Sequence, residues 1–168
     1  MFDLYIAQKM FSLFGSSFDV KNAQGQVVYR VHGELSLTQK LAIFNDKHQE
    51  VGEVRKALIS ILPKYELYED GKKIGYIEKD FTLFHPKYTL SCGDWKVDGD
   101  LLHWNYSIYN GQGQLVGQIR KELWHLTDHY VITCDSEADA LRVLMVVLAI
   151  DCVNEGDDKN NNQNNQNN

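Results

Sequence analysis

The sequence predicts a mainly β protein: a closed antiparallel barrel of about twelve strands around a central hydrophobic C-terminal helix. Three observations carry that expectation. One hairpin-like module is written several times along the 168 residues. Short polar turns separate alternating apolar runs throughout. Near the C-terminus, Val143 to Ile150 is apolar without a break, so a helix there has no polar face to turn to water.

The module is clearest when "LAIFNDKHQEVGEVRK" (Leu41 to Lys56) is set against "YSIYNGQGQLVGQIRK" (Tyr106 to Lys121). Ile, Asn, Gln, Val, Gly, Arg and Lys recur at the same offsets, and the correspondence continues through Leu58 with Leu123 and Tyr65 with Tyr130. A third copy runs from Tyr65 to Leu90 with a turn one residue shorter, and a weaker fourth from Phe18 to Leu35. Each copy reads as an alternating run, a polar turn and a second alternating run, which is a β-hairpin. Asp-Gly in "EDGK" and "VDGD" signals tight hairpin turns. The glycine after each turn (Gly52, Gly75, Gly117) marks a bulge or a close backbone approach.

Taken in order, the strands are expected near 3–10, 17–22, 26–34, 40–45, 50–60, 64–69, 72–80, 87–92, 94–97, 101–109, 113–122 and 128–134. The tripeptide Pro-Lys-Tyr occurs twice, at Pro63 and Pro86, where one hairpin ends and the next begins. Proline lacks the N–H that a central ladder position needs, so it suits such a corner. A meander of this length gains by closing, because closure removes exposed edges. A barrel this wide leaves a lumen that its own side chains do not fill.

The segment Ser136 to Val153 supplies the filling. Ser136 is a candidate N-cap with Asp139 three residues on, and Glu137 and Asp139 suit the positive end of a helix dipole. Eighteen helical residues span ~27 Å, close to the length of an eight-residue strand. An uninterrupted apolar run of eight residues falls well short of the ~20 of a membrane span. Arg142 and Asp151 bracket that run, and exposure at the barrel mouths is the expected placement for both. Residues 1–153 thus form one domain, followed by a disordered Asn/Gln-rich tail at 154–168 with nothing to bury.

Charge and cysteine usage exclude several classes. Net charge is −6 with histidines neutral; Glu155, Asp157 and Asp158 against Lys159 leave the tail at −2, so the body carries −4. That argues against nucleic-acid binding, which relies on basic surface. Three widely spaced cysteines, Cys92, Cys134 and Cys152, contain no Cys-x-x-Cys pair, so neither a disulfide framework nor a zinc site is expected. "MFDLYIAQKM" lacks the basic start and apolar core of a signal peptide. A reducing cytoplasmic setting follows.

Chemistry is sparse. His125 and His129 have the spacing of a helical metal pair, but residues four apart on a strand lie ~13 Å apart, too far to share an ion. No Ser or Cys stands in a nucleophile motif, and "NGQGQLVG" sits in a hairpin turn without the helix that cradles phosphate. No catalytic residue, metal ligand or cofactor is expected, and the protein reads as non-enzymatic. The suggestive charges are the repeated pairs Arg55–Lys56 and Arg120–Lys121, with Lys79 at the matching third position. Lined up on one outer surface, these candidate contacts would hold an anionic headgroup; with Glu53, Glu78 and Glu122 nearby, a solvated mixed-charge face is the alternative and the plainer reading.

The segments "LPKYELYEDGKKIG", "FTLFHPKYTL" and the closing run from Trp95 to Asp151 resemble bacterial members of the LURP-one-related family, within the Tubby C-terminal-like superfamily. The resemblance covers roughly residues 1 to 153. It implies a twelve-stranded barrel around a hydrophobic C-terminal helix. The superfamily includes phosphoinositide-binding Tubby domains and is similar in fold to phospholipid scramblases, while plant members are linked to pathogen defence. No residue here matches the Tubby lipid-binding positions. The expected function is a binding or regulatory module whose partner is an anionic phospholipid at the inner membrane surface or, alternatively, a protein; an enzyme with an unrecognised site is the remaining alternative, which a concave pocket of convergent polar groups would favour. A cationic patch would favour lipid and an exposed apolar patch a protein. The sequence carries no signal for an oligomeric state.

Overall fold

The computed structural model describes the backbone of residues 1–6, 13–34, 39–80, 87–124 and 127–164, and the side chains of these except 80, 87, 123, 124, 127–129 and 156–164. Twelve strands precede the helix: β1 (Phe2–Ile6), β2 (Ser17–Lys21), β3 (Val27–Glu34), β4 (Lys40–Asn45), β5 (Glu50–Lys56), β6 (Lys64–Glu69), β7 (Lys72–Asp80), β8 (Lys87–Cys92), β9 (Lys96–Asp100), β10 (Asn105–Tyr109), β11 (Leu115–Trp124) and β12 (Thr127–Cys134). A single 3-10 turn, Glu137–Asp139, leads into α1 (Ala140–Asn164).

The strands form one antiparallel sheet in the order β8-β7-β6-β5-β4-β3-β2-β1-β12-β11-β10-β9. Every neighbour pair is consecutive in sequence except β1 with β12, whose register sets Phe2 opposite Cys134 and Ile6 opposite Tyr130. That pair curls the meander into a barrel. Closure is nearly complete: β8 and β9 remain the two edges of the hydrogen-bonded sheet. The β9 edge is short and carries Lys96, Asp98 and Asp100, charges that discourage pairing with another chain.

The repeat has a physical basis in its turns. In three of them an asparagine organises the loop in the same way. The Asn45 side-chain oxygen accepts from the N–H groups of Lys47 (3.0 Å) and Gln49 (2.9 Å). Asn22 holds Gln24 and Gln26, and Asn110 holds Gln112 and Gln114, by the same bonds. Each side-chain amide also donates to the glutamine that closes the turn. The left-handed residue is Gly25, His48 or Gly113. The shorter third turn is Asp70–Gly71 with φ of 48° and 73°, the two-residue hairpin that Asp-Gly favours.

After each turn the ladder slips by one residue. The extra residues are Val28, Val51, Ile74 and Val116. The last three immediately precede Gly52, Gly75 and Gly117, so these glycines mark bulges, and all three also sit at close approaches. A Cβ on Gly75 would lie 1.8 Å from the Ser91 carbonyl oxygen, and one on Gly117 2.6 Å from a Val143 methyl group of the helix.

The helix fills the lumen as expected. Every residue from Val143 to Ile150 is fully buried, packed chiefly on β5–β7 and β11–β12. The Ser136 hydroxyl caps its entry, accepting from the Asp139 N–H at 3.3 Å and donating to the Asp139 carboxylate at 2.7 Å. Replacing Ser136 with Ala should cost about 1 kcal/mol of stability, read as a lower urea midpoint at unchanged m-value. At the far end Asn154 bridges the open seam. It accepts from the Tyr88 hydroxyl on β8 and donates at 3.3 Å to the carbonyl of Leu101, just after β9.

Several boundaries differ from the sequence expectation. "VDGD" is not a turn but strand β9, because the chain has already reversed at Gly93–Asp94, and Gly99 faces Tyr106 across the ladder at φ 126°. The next strand starts at Asn105 rather than 101, after a turn over 101–104. β5 stops at Lys56 instead of reaching 60, for a reason that matters below. The helix runs past the boundary drawn at Val153 to Asn164. Residues 7–10 of the first expected strand and the Pro86 corner lie outside the described residues.

Candidate functional site

An antiparallel meander has two ends. Here one end carries the tight turns after β2, β4, β6, β8 and β10 and receives the start of α1. The other carries the connections after β1, β3, β5, β7, β9 and β11, the longest of the chain among them, and the helix reaches it at Asn154. The candidate site is the rim at this loop end.

Register shows a repeat among three of the candidate cations. Lys56 pairs with Tyr65, Lys79 with Tyr88 and Lys121 with Tyr130, so the same cross-strand Lys–Tyr pair occurs three times. The Lys56 pair is the last of its ladder, the Lys79 pair the last but one, and the Lys121 pair lies three steps before the end of β11–β12; all three take the inward parity set by buried Val54, Ile77 and Ile119. The tyrosine rings plug the mouth from within. Tyr65 and Tyr130 are buried, while Tyr88 is half-buried. Lys79 Nζ stands 5.6 Å from the Tyr88 ring and Lys121 Nζ 6.0 Å from the Tyr130 ring. Burial pushes the Tyr88 phenol up to about 12 and raises Tyr65 still further, so these rings stay neutral. Lys56 is exposed and has no ion pair among the described residues.

Arg55 and Arg120 do not share that arrangement. They take the opposite parity and point outward from strands six steps apart in the sheet, so they cannot cover one surface together. Arg55 is occupied: its guanidinium lies 3.0 Å from Glu53 and 4.4 Å from the centre of the Tyr68 ring. Other outward cations are similarly tied, Lys64 to Glu78 at 3.3 Å and Lys40 to Glu53 at 3.2 Å.

The rim also holds a feature that sequence reading missed. The β5–β6 connection, 57–63, exposes Leu58 by 76%, Ile59 by 97% and Ile61 by 98%, and Leu102 on the β9–β10 turn of the same end is 50% exposed. Alternating parity absorbed these residues into a strand. The available signal was the proline: Pro63 cannot donate to the ladder, and the apolar run before it has no inner face to serve.

Elsewhere the chemistry closes. Among the described residues no group of three His, Cys, Asp or Glu side chains could hold a metal. His125 is outside the described residues; His103 pairs with Asp100 at 2.7 Å on the surface. All three cysteines are buried, and burial pushes the Cys134 thiol up to about 12 and raises Cys92, the reverse of a reactive thiolate. A surface cleft of about 300 Å³ over the β5 bulge contains Glu50, Glu53, Arg55 and Tyr68; Arg55 pairs there with Glu53, and Lys40 pairs with both glutamates. Arg142 meets Glu69 at 2.7 Å at the turn end, partly exposed as expected. Asp151, expected at a mouth in water, is instead 4% exposed, because the helix continues beyond it and keeps it inside the barrel. No described helix is long and apolar enough to cross a membrane.

Comparison with known proteins gives a relative and a family. The chain is 28% identical over 155 residues to "Uncharacterized protein YxjI" of Bacillus subtilis (strain 168), an alignment covering 91% of this chain and 94% of that protein. No catalytic family is indicated. The sequence model for LURP-one-related proteins matches residues 2–151, and the chain belongs to that family.

Proposed function

We propose that this protein is a non-enzymatic module of the cytoplasm that docks its loop end on an anionic phospholipid surface. The observation that carries this reading is the threefold Lys–Tyr pairing of Lys56, Lys79 and Lys121 around one mouth. Three cations near one mouth would supply local attraction despite a net charge of −6. At about 1 kcal/mol per cation near an anionic membrane, they contribute about 3 kcal/mol. Residues 1–153 are the docking unit in this reading, and the Asn/Gln-rich tail leaves from the same end.

Co-sedimentation with phosphatidylserine-containing and neutral vesicles tests it. Binding to the anionic vesicles should weaken from low to near-physiological salt, since screening shortens the reach of exposed charges. The triple variant Lys56→Gln/Lys79→Gln/Lys121→Gln should lose about a hundredfold in affinity. Arg55→Gln/Arg120→Gln, outward on opposite walls, should lose far less. No binding at low salt would sink the reading and turn the search to protein partners.

A further inference from the structure

We infer that the β5–β6 loop is a membrane anchor: Leu58, Ile59 and Ile61 insert into the apolar layer of an anionic bilayer whose headgroups meet the rim lysines. This rests on the surface-docking reading above and adds the mode of attachment.

The loop is built to hold these side chains out. The Ala57 N–H donates to the Lys64 carbonyl at 2.9 Å and closes the base. The Lys79 N–H donates to the Pro63 carbonyl at 3.0 Å and fastens the returning limb to β7. Inside the loop the Ser60 hydroxyl donates to the Leu62 carbonyl at 2.8 Å, turning that carbonyl back on the loop. The tip therefore has a fixed base and three aliphatic side chains that touch almost nothing of the body.

Comparison within the chain makes the geometry pointed. Nine positions separate Lys56 from Tyr65, as they separate Lys121 from Tyr130. In the second case β11 and β12 stay paired to Trp124 and Thr127. In the first, pairing stops at Lys56, because Pro63 stands where Asp128 continues the other ladder. Seven residues that the repeat would fold back into a hairpin are released as a loop.

Exposed apolar groups also suit protein partners, but the observations favour lipid. A stable protein interface buries ~800 Å² on each side, and three side chains on one narrow loop supply a fraction of that. A bilayer needs no complementary surface. The charge context matches as well: exposed Lys56 flanks the loop, and half-exposed Leu102 stands on the same rim. Apolar insertion beside cations is the composition by which peripheral elements hold anionic membranes.

The native cysteines make a direct test available. All three are buried, so Ile59→Cys gives one accessible thiol for an environment-sensitive fluorophore, with the unsubstituted protein as the labelling control. With phosphatidylserine-containing vesicles the emission should shift to the blue, and bromine on the acyl chains should quench it. Separately, Leu58→Ser/Ile59→Ser/Ile61→Ser should keep the wild-type urea midpoint and bind vesicles at least about tenfold more weakly, with the salt dependence unchanged. Vesicle binding with a label that stays in water, or unchanged affinity in the serine variant, would overturn insertion and leave surface docking standing. Insertion into neutral vesicles as strongly as anionic ones would overturn the electrostatic reading and leave the anchor standing. Absence of binding to either vesicle would overturn both, and a protein partner would then be the occupant to seek.

Discussion

Gly75→Ala should destabilise the barrel by at least about 3 kcal/mol, the steepest of a graded series at the three bulge glycines. An added Cβ at Gly75 would lie 1.8 Å from the Ser91 carbonyl oxygen and 2.8 Å from the Cys92 Cα, both backbone atoms of β8. Relief requires moving a strand that is already one edge of the sheet. At Gly117 the obstacle is Val143, 2.6 Å away and stiff because it is β-branched and fully buried on the helix. That substitution should cost about 2 kcal/mol and push α1 off its seat. At Gly52 the neighbours are the ends of Met145 (3.1 Å) and Leu141 (3.2 Å), side chains able to yield by a few tenths of an ångström. There the cost should be under about 1 kcal/mol, partly offset by the lost freedom of glycine in the unfolded chain. Urea midpoints of the three variants, at constant m-value, check the order. Equal effects at all three would mean that the shared bulge conformation, and not the neighbour met by the Cβ, requires glycine.

This series also shows what was legible in the sequence. Local chemistry was readable: the Asn and Gln of each turn recur because one hydrogen-bond pattern needs both, and the following glycine recurs because each slipped ladder brings it against a neighbour. The buried helix was readable from composition alone. Properties set by distant pairing were not. The five cations could be found, but their parity depends on which residue opposes which tyrosine, and that separates Lys56 from Arg55 only once the register is known. Connections of equal length, 56–65 and 121–130, end as a loop and as a continuing hairpin, so repeat matching predicted a strand where the chain exposes an apolar tip. The β8–β9 seam was invisible because the bonds that span it come from Asn154, assigned by sequence to a tail. Asp151 was misplaced for a related reason: its depth depends on how far the helix travels inside the barrel.

Asp151 leads to the second large effect, on the pH dependence of stability. Its Oδ2 and the Tyr106 hydroxyl are buried and find no hydrogen-bond partner among the described residues. Burial first, and Glu155 one turn on second, hold the Asp151 carboxyl well above its ordinary range. Tyr106, facing it from β10, is raised by burial and then by Asp151 and Tyr88. No cation is among the groups that act on it. An acid whose folded pKa is raised binds its proton more tightly folded than unfolded. Below the ordinary carboxyl pKa both states are protonated and the group is silent. Above it the unfolded chain releases the proton and the folded barrel retains it, so stability falls as pH rises, by at most about 1.4 kcal/mol per pH unit for one proton. The thiol of Cys134 and the phenols of Tyr29 and Tyr88, pushed up to about 12, act in the same direction, but only above the ordinary thiol and phenol pKa values. Glu66, held below its ordinary range by its bond from Lys73, and Asp100, held down by His103, act in the opposite direction around the ordinary carboxyl pKa. The window from about pH 5.5 to 8 lies above them, with the histidine contributions common to protein and variant. Asp151→Asn should remove the downward slope there. Asp151→Leu should remove it and raise stability at neutral pH by about 2–4 kcal/mol, because an apolar side chain replaces a buried polar group that has no partner. Urea unfolding at four or five pH values across the window measures both. If the Asn variant kept the wild-type slope, the carboxyl would have to be ionised inside the barrel, and a cation would have to reach it from beyond the described residues.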